Sequence, residues 1–245
     1  MRAFLSWRLA RDRGIALFIL ASLALTAYSG LKLDRLGAML YLAALSQGAL
    51  WGGLALFFVL YRRDVRALAR GELGILLLLP QGPLRYVLAQ AAEFLMTTGL
   101  LFGGLLALAV WTVARFAPEG TGELLRLGLY LFFTAGLPML GNFQLATAMH
   151  AAYFLGRVGG LAAALVIFAS SYGLGQLIGQ LEAHALWNWG PKIRIGEFRW
   201  LTGSIPGLSI LSPSGEWPLW PVLLGVGLFL LYLWLAFLIY RETEL

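Results

Sequence analysis

The chain has 245 residues, of which 60% are hydrophobic and only 12% charged, with a mean hydropathy of +0.80 and a net charge of +6. A water-soluble domain carries about 25% charged residues, so most of this surface faces lipid, and the cationic excess reads as membrane topology and not as nucleic-acid binding. The lack of cysteine excludes disulfides, thiolate metal sites and cysteine nucleophiles, and two histidines, His150 and His184, are too few for a histidine-rich metal site.

In chain order, residues 1–13 place Phe4 and Trp7 beside Arg8 and Arg11. That pattern predicts an interfacial lead-in whose arginines snorkel to the headgroups. The apolar run after it is one of several, so it reads as a retained first span and not as a removed signal peptide. Crossing the hydrocarbon core takes about 20 apolar residues. Six stretches qualify, at about 14–31, 37–61, 86–114, 124–149, 158–181 and 217–240. The expected fold is therefore an all-α integral membrane protein, one transmembrane domain over 1–245, with six transmembrane helices.

Only Lys32–Arg35 separates the first two spans, which predicts a helical hairpin. Over 62–73 a helical projection puts Arg62, Arg66 and Arg70 on one face and Val65, Leu68 and Ala69 on the adjacent one. This is the pattern of an amphipathic helix at the membrane surface. In the third span Gln90, Glu93 and Thr97 share a face at i, i+3, i+7. Glu93 is an ionisable group inside a span, roughly 10 Å from its start at 1.5 Å per residue, and such a group faces protein or water. The residues leave two roles open for it: part of a substrate path or gate, or a carboxylate bonded to neighbouring helices. In the fourth span Pro138 predicts a kink, with Thr134 or Asn142 relieving the freed carbonyls. The fifth carries Tyr172, Gln176 and Gln180 beside Gly175-x-x-x-Gly179, which suits close helix packing or the outer half of a pathway. Gly99-x-x-x-Gly103 and Gly156-x-x-x-Gly160 read as packing faces. The segment 182–216, with Trp187, Trp189 and Trp200 among Pro191, Pro206 and Pro213, predicts short interfacial or re-entrant helices before the last span.

Loop charges orient the chain. With the N-terminus inside, the inner segments hold 11 Arg and Lys and the outer ones 7, out of 18. Both termini are expected in the cytoplasm.

The stretch Arg70-Gly71-Glu72-Leu73-Gly74-Ile75-Leu76-Leu77-Leu78-Leu79-Pro80, followed by Gln81-Gly82-Pro83-Leu84-Arg85-Tyr86, runs a basic helix into leucines, a proline break, a turn and the next span. It resembles the ABC-2 type exporter permeases, in which a charged stretch after the second span leads to a Gly-x-Leu-x-x-Leu-Leu-x-x-Pro-like pattern before the third. The lead-in, the six spans with both ends inside and the bulky outer segment are similar to that family too. Over 62–86 the acids are Asp64 and Glu72, while Ala67, Leu68, Ala69 and Gly74 stand where the family usually carries others. The resemblance implies that 62–80 contains a coupling helix seated on a separate ATPase subunit, with Arg66, Arg70, Glu72 and Leu73 in contact. It implies that Pro80 uncouples this rod from the next span, while Arg62 and Arg63 anchor to lipid. It further implies two ATPase copies, a second permease copy or a related permease, and the cytoplasmic membrane of a bacterium or archaeon. The residues alone also allow a plainer role for the basic helix, as a topology determinant resting on anionic lipid.

No Gly-x-x-x-x-Gly-Lys-Ser/Thr loop occurs. ATP and Mg²⁺ would therefore sit on the partner, leaving this chain a transport subunit with no cofactor of its own. Its cargo would be hydrophobic or amphipathic, such as a drug, peptide or lipid. The alternatives are a membrane subunit of another ATP-driven system, of the haem-export or vitamin-uptake substrate-capture type, and more remotely an intramembrane enzyme.

Overall fold

The computed structural model describes residues 13–31, 35–70, 82–153, 190–197 and 215–242. The lead-in up to residue 12, the leucine run with Glu72, Leu73 and Pro80, and the expected fifth span with Tyr172, Gln176 and Gln180 lie outside the described residues.

The described helices are α1 (Arg13–Gly30), α2 (Arg35–Ala69), α3 (Gly82–Phe116), α4 (Thr121–Leu131), α5 (Leu137–Tyr153) and α6 (Trp220–Glu242). A five-residue π-turn, Phe132–Gly136, joins α4 to α5 without a break. Counting α4, the π-turn and α5 as one span, five described helices are long and apolar enough to cross a membrane. The chain is a helical, multi-pass membrane protein. At 1.5 Å per residue, α2 and α3, each of 35 residues, are about 52 Å long, well beyond a hydrocarbon core of roughly 30 Å.

The helix directions define two ends. At the lower end α2, α5 and α6 finish and α1 and α3 begin; at the upper end the reverse holds. The turn from α1 to α2 closes where the Tyr41 hydroxyl donates to the Thr26 carbonyl at 2.7 Å. The body of α1, however, lies along α3, where Leu23 fills the notch left by Gly104. Gly53 likewise admits Phe102 between α2 and α3, and Gly141 brings α5 against Tyr232 and the Phe229 backbone of α6. Among the described residues, close packing runs through Gly104, whereas a side chain at the expected Gly99 or Gly103 would meet none of them within 4 Å. The central core joins Ile19, Leu56, Leu60, Phe94, Leu140 and Phe143, with the Phe94 and Phe143 rings 4.7 Å apart.

Pro138 has no N–H to offer the carbonyl of Thr134, one turn earlier. The chain accommodates this with the π-turn, in which the Leu137 N–H reaches back to the Phe132 carbonyl. Thr134 donates its hydroxyl to Tyr130 O at 2.9 Å, one turn back in its own helix, and not to a carbonyl that the proline frees.

The upper end differs from the helical expectation wherever 182–216 is described. Lys192–Arg194 (β1) and Glu216–Pro218 (β2) pair antiparallel, with Ile193 opposite Trp217. Lys192-Ile193-Arg194-Ile195 alternates polar and apolar with period two, which a strand satisfies and a helix does not. Ile195 and Trp217 bury themselves against Tyr130 of α4, whose hydroxyl donates to Pro218 O at 3.2 Å. Gly215, at φ +68°, makes the bend that leads into β2.

Candidate functional site: a buried ionic network at the lower end

The second span does not stop at Tyr61. Helix α2 runs unbroken to Ala69, and the Arg70 N–H still bonds to Arg66 O at 3.1 Å. The stretch 62–69 is thus the last two turns of the span and not a separate rod. Its helical period sorts its side chains sharply. Arg62, Arg66 and Arg70 are exposed, whereas Leu60, Tyr61, Asp64 and Ala67 are buried.

Arg63 falls between these faces and turns inward. This corrects its expected role as a lipid anchor: its side chain is 16% exposed and engages two carboxylates of the bundle. Nη2 and Nε lie 2.8 and 3.1 Å from Asp64 Oδ1, and Nη1 lies 2.6 Å from Glu93 Oε1. The physical reason is that Glu93, about one-third of the way along α3, is 1% exposed and a buried carboxylate demands a partner of opposite charge.

From Asp64 the network crosses to α3 and α5. Gln90 donates from Nε2 to Asp64 Oδ2 at 2.8 Å and to Thr147 Oγ1 at 2.9 Å. Thr147 in turn donates to the carbonyls of Phe143 or Gln144, each at 2.9 Å. One turn away, Gln144 Nε2 bonds to Val87 O at 2.8 Å. Val87 and Gln90 on α3, and Gln144 and Thr147 on α5, both repeat at i, i+3, so the two helices are joined by successive rungs. Tyr61 and His150 add a link from α2 to α5, with the hydroxyl 2.9 Å from Nδ1. Below, the rings of Tyr86 and Tyr240 meet edge to face at 5.0 Å and fasten α3 to α6.

Gln90, Glu93 and Thr97 therefore do share a buried face, as their spacing predicted. Glu93 reaches its neighbour helix, and Gln90 does too. Thr97 is different: its hydroxyl is spent on the carbonyls of its own helix, at 2.8 Å to Glu93 O and 3.2 Å to Phe94 O. Sequence reasoning missed Asp64, Gln144, Thr147 and His150. A signal existed for Asp64, which stands opposite Arg62 and Arg66 on the α2 projection and so had to face inward. For Gln144 and Thr147 the signal was weaker: they stand three residues apart on α5, but uncharged polar groups also occur at Asn142 and elsewhere on that helix, so no single polar face stands out.

The network holds three helices in one register: α2 and α3 by charge-assisted bonds, each roughly twice as strong as a neutral one, and α5 by the neutral bonds of Gln90, Gln144 and Tyr61. It contains no activated nucleophile. It ties the end of α2 to α3 through Arg63 and Asp64, and α5 joins through Gln90 and Tyr61. No protein-family profile, no curated protein and no solved structure matches this chain.

Proposed function

We propose that this chain is the membrane permease subunit of an ATP-driven exporter of the ABC-2 type. It sits in a bacterial or archaeal cytoplasmic membrane with six spans and both termini inside. A separate ATPase, present in two copies, carries ATP and Mg²⁺, and a second permease, identical or related, completes the pathway for a hydrophobic or amphipathic cargo.

One observation supports this reading above the others. The last two turns of α2 have an outward face of exposed arginines, Arg62, Arg66 and Arg70, and an inward face, Arg63 and Asp64, bonded into the bundle. A motor that grips the outer face moves the inner face with it, because both belong to one continuous helix. In this version of the mechanism the lever is the end of the span itself. Glu72 and Leu73, which follow it in the chain, are the further contacts that the resemblance assigns to the ATPase, with Pro80 uncoupling the rod from the next span.

The test is co-purification of the Arg66→Glu/Arg70→Glu double variant with the ATPase encoded beside it. Reversal of both charges should release the ATPase while the melting temperature of the membrane subunit stays at the wild-type value, since both residues point away from the core. Undiminished recovery of the complex would remove the docking role and, with it, the exporter assignment.

A further inference from the structure

We infer that the upper end of the bundle carries a hinged cap: α4, the β1–β2 ribbon and the first turn of α6 move together about a line through the π-turn and Gly225–Gly227. The inference concerns the fold and holds whether or not an ATPase drives the molecule.

The cap is one body by its own contacts. Tyr130 and Leu127 of α4, Ile193 and Ile195 of the ribbon, Trp217 and Val222 form a single apolar cluster separate from the central core. Polar bonds reinforce it. Glu123 Oε1 accepts the Glu197 N–H at 3.0 Å, Arg126 donates to Ile195 O at 3.5 Å, and Leu219 N–H bonds to Pro191 O at 3.0 Å. The inner body is equally tied: α5 is bonded to α2 and α3 by the ionic network and lies against α6 at Gly141–Tyr232.

The two segments that join these bodies within the fourth and sixth spans are both weak at the same depth. In the fourth span the link is the π-turn, none of whose residues is buried, followed by Pro138, which lacks the N–H that would splint the next turn. In the sixth it is Gly225-Val226-Gly227, two glycines in three residues, where helix propensity is lowest short of proline. The coincidence in depth is directly visible, because Gly225 is pressed on the carbonyl of Phe133 so closely that any Cβ there would collide with it. At Gly227, by contrast, a Cβ would meet none of the described residues within 4 Å. A hinge needs a soft point on each segment that crosses it; among the described residues these are the two helices above and the short turn Pro118–Gly120 between α3 and α4. On the far side the cap rests on α3 through the notch at Gly128, which Leu106 fills; rotation would open or close that seam.

The chain contains no cysteine, so two introduced thiols can be spin-labelled without background. The experiment compares distance distributions from double electron–electron resonance in lipid nanodiscs for Trp51→Cys with Leu125→Cys, which spans the inner body and cap, and for Phe58→Cys with Trp234→Cys, both on the inner body. All four positions are exposed. The cap pair should give a broad or two-peaked distribution and the inner pair a single narrow one. Gly227→Ala, which has room for its methyl, should narrow the cap distribution and leave the inner one unchanged. Gly225→Ala should shift the cap distribution by wedging the bodies apart. A cap distribution as narrow as the inner one overturns the hinge, as does a Gly227→Ala variant that leaves the cap distribution at its wild-type width.

Discussion

Removing the Arg63 guanidinium is the sharpest perturbation of the lower end. In Arg63→Ala, Asp64 and Glu93 lose a shared cation that contacts them at 2.6–2.8 Å, and their side chains are only 3% and 2% exposed. Water does not replace the lost partner. Breaking a buried ion pair from one side costs about 3–5 kcal/mol, most of it from the charge left behind. For a chain of this length each kcal/mol moves the midpoint by about 2–4 °C, so melting should fall by on the order of 10 °C. The assay is thermal unfolding in detergent followed by intrinsic fluorescence, for which the nine tryptophans suffice. Arg62→Ala is the internal control, one residue away on the exposed face, and should melt with the wild type. Adding Glu93→Gln to Arg63→Ala deletes one of the two exposed charges and should recover part of the loss, a coupling that independent residues do not show. If Arg63→Ala and Arg62→Ala melt alike, both are lipid anchors and the ionic network holds nothing.

Gln90→Leu keeps the volume but breaks the bonds to Asp64 Oδ2 and Thr147 Oγ1. It should destabilise by about 1–3 kcal/mol because buried acceptors lose their donor, read in the same melts; no change would mean that the rungs between α3 and α5 are dispensable. Gly141→Ala puts a methyl 2.9 Å from Tyr232 Cβ and 3.3 Å from the Phe229 backbone. Helix α6 must back away, at about 1–3 kcal/mol for overpacking, whereas Gly99→Ala, with none of the described residues within 4 Å, should leave the melting midpoint the same or raise it slightly through better helix propensity.

The membrane class and the inward direction of Glu93 were legible in the order of residues, because each depends on local quantities. Apolar run length measures whether a helix can cross lipid. Helical period assigns Gln90, Glu93 and Thr97 to one face. Proline chemistry marks the fourth span at Pro138, although whether the result is a sharp bend or a π-turn depends on the neighbour that receives the extra carbonyl, here α6 at Gly225. The alternation at Lys192–Ile195 was also present to be read, but three-residue strands separated by more than twenty residues leave no local trace of their pairing.

What a residue touches is another matter. Arg63 sits among four arginines that look alike along the chain, and only the approach of α3 makes it the partner of Glu93 while its neighbours face outward. Gln144 and Thr147 acquire meaning only because α5 packs where Gln90 and Val87 present a donor and a carbonyl. Composition and periodicity thus determined that helices form and which side of each turns inward, since those follow from free energies of transfer residue by residue. The tertiary structure alone decided which charges meet, because the energy of an ion pair depends on the separation of groups that are far apart in sequence.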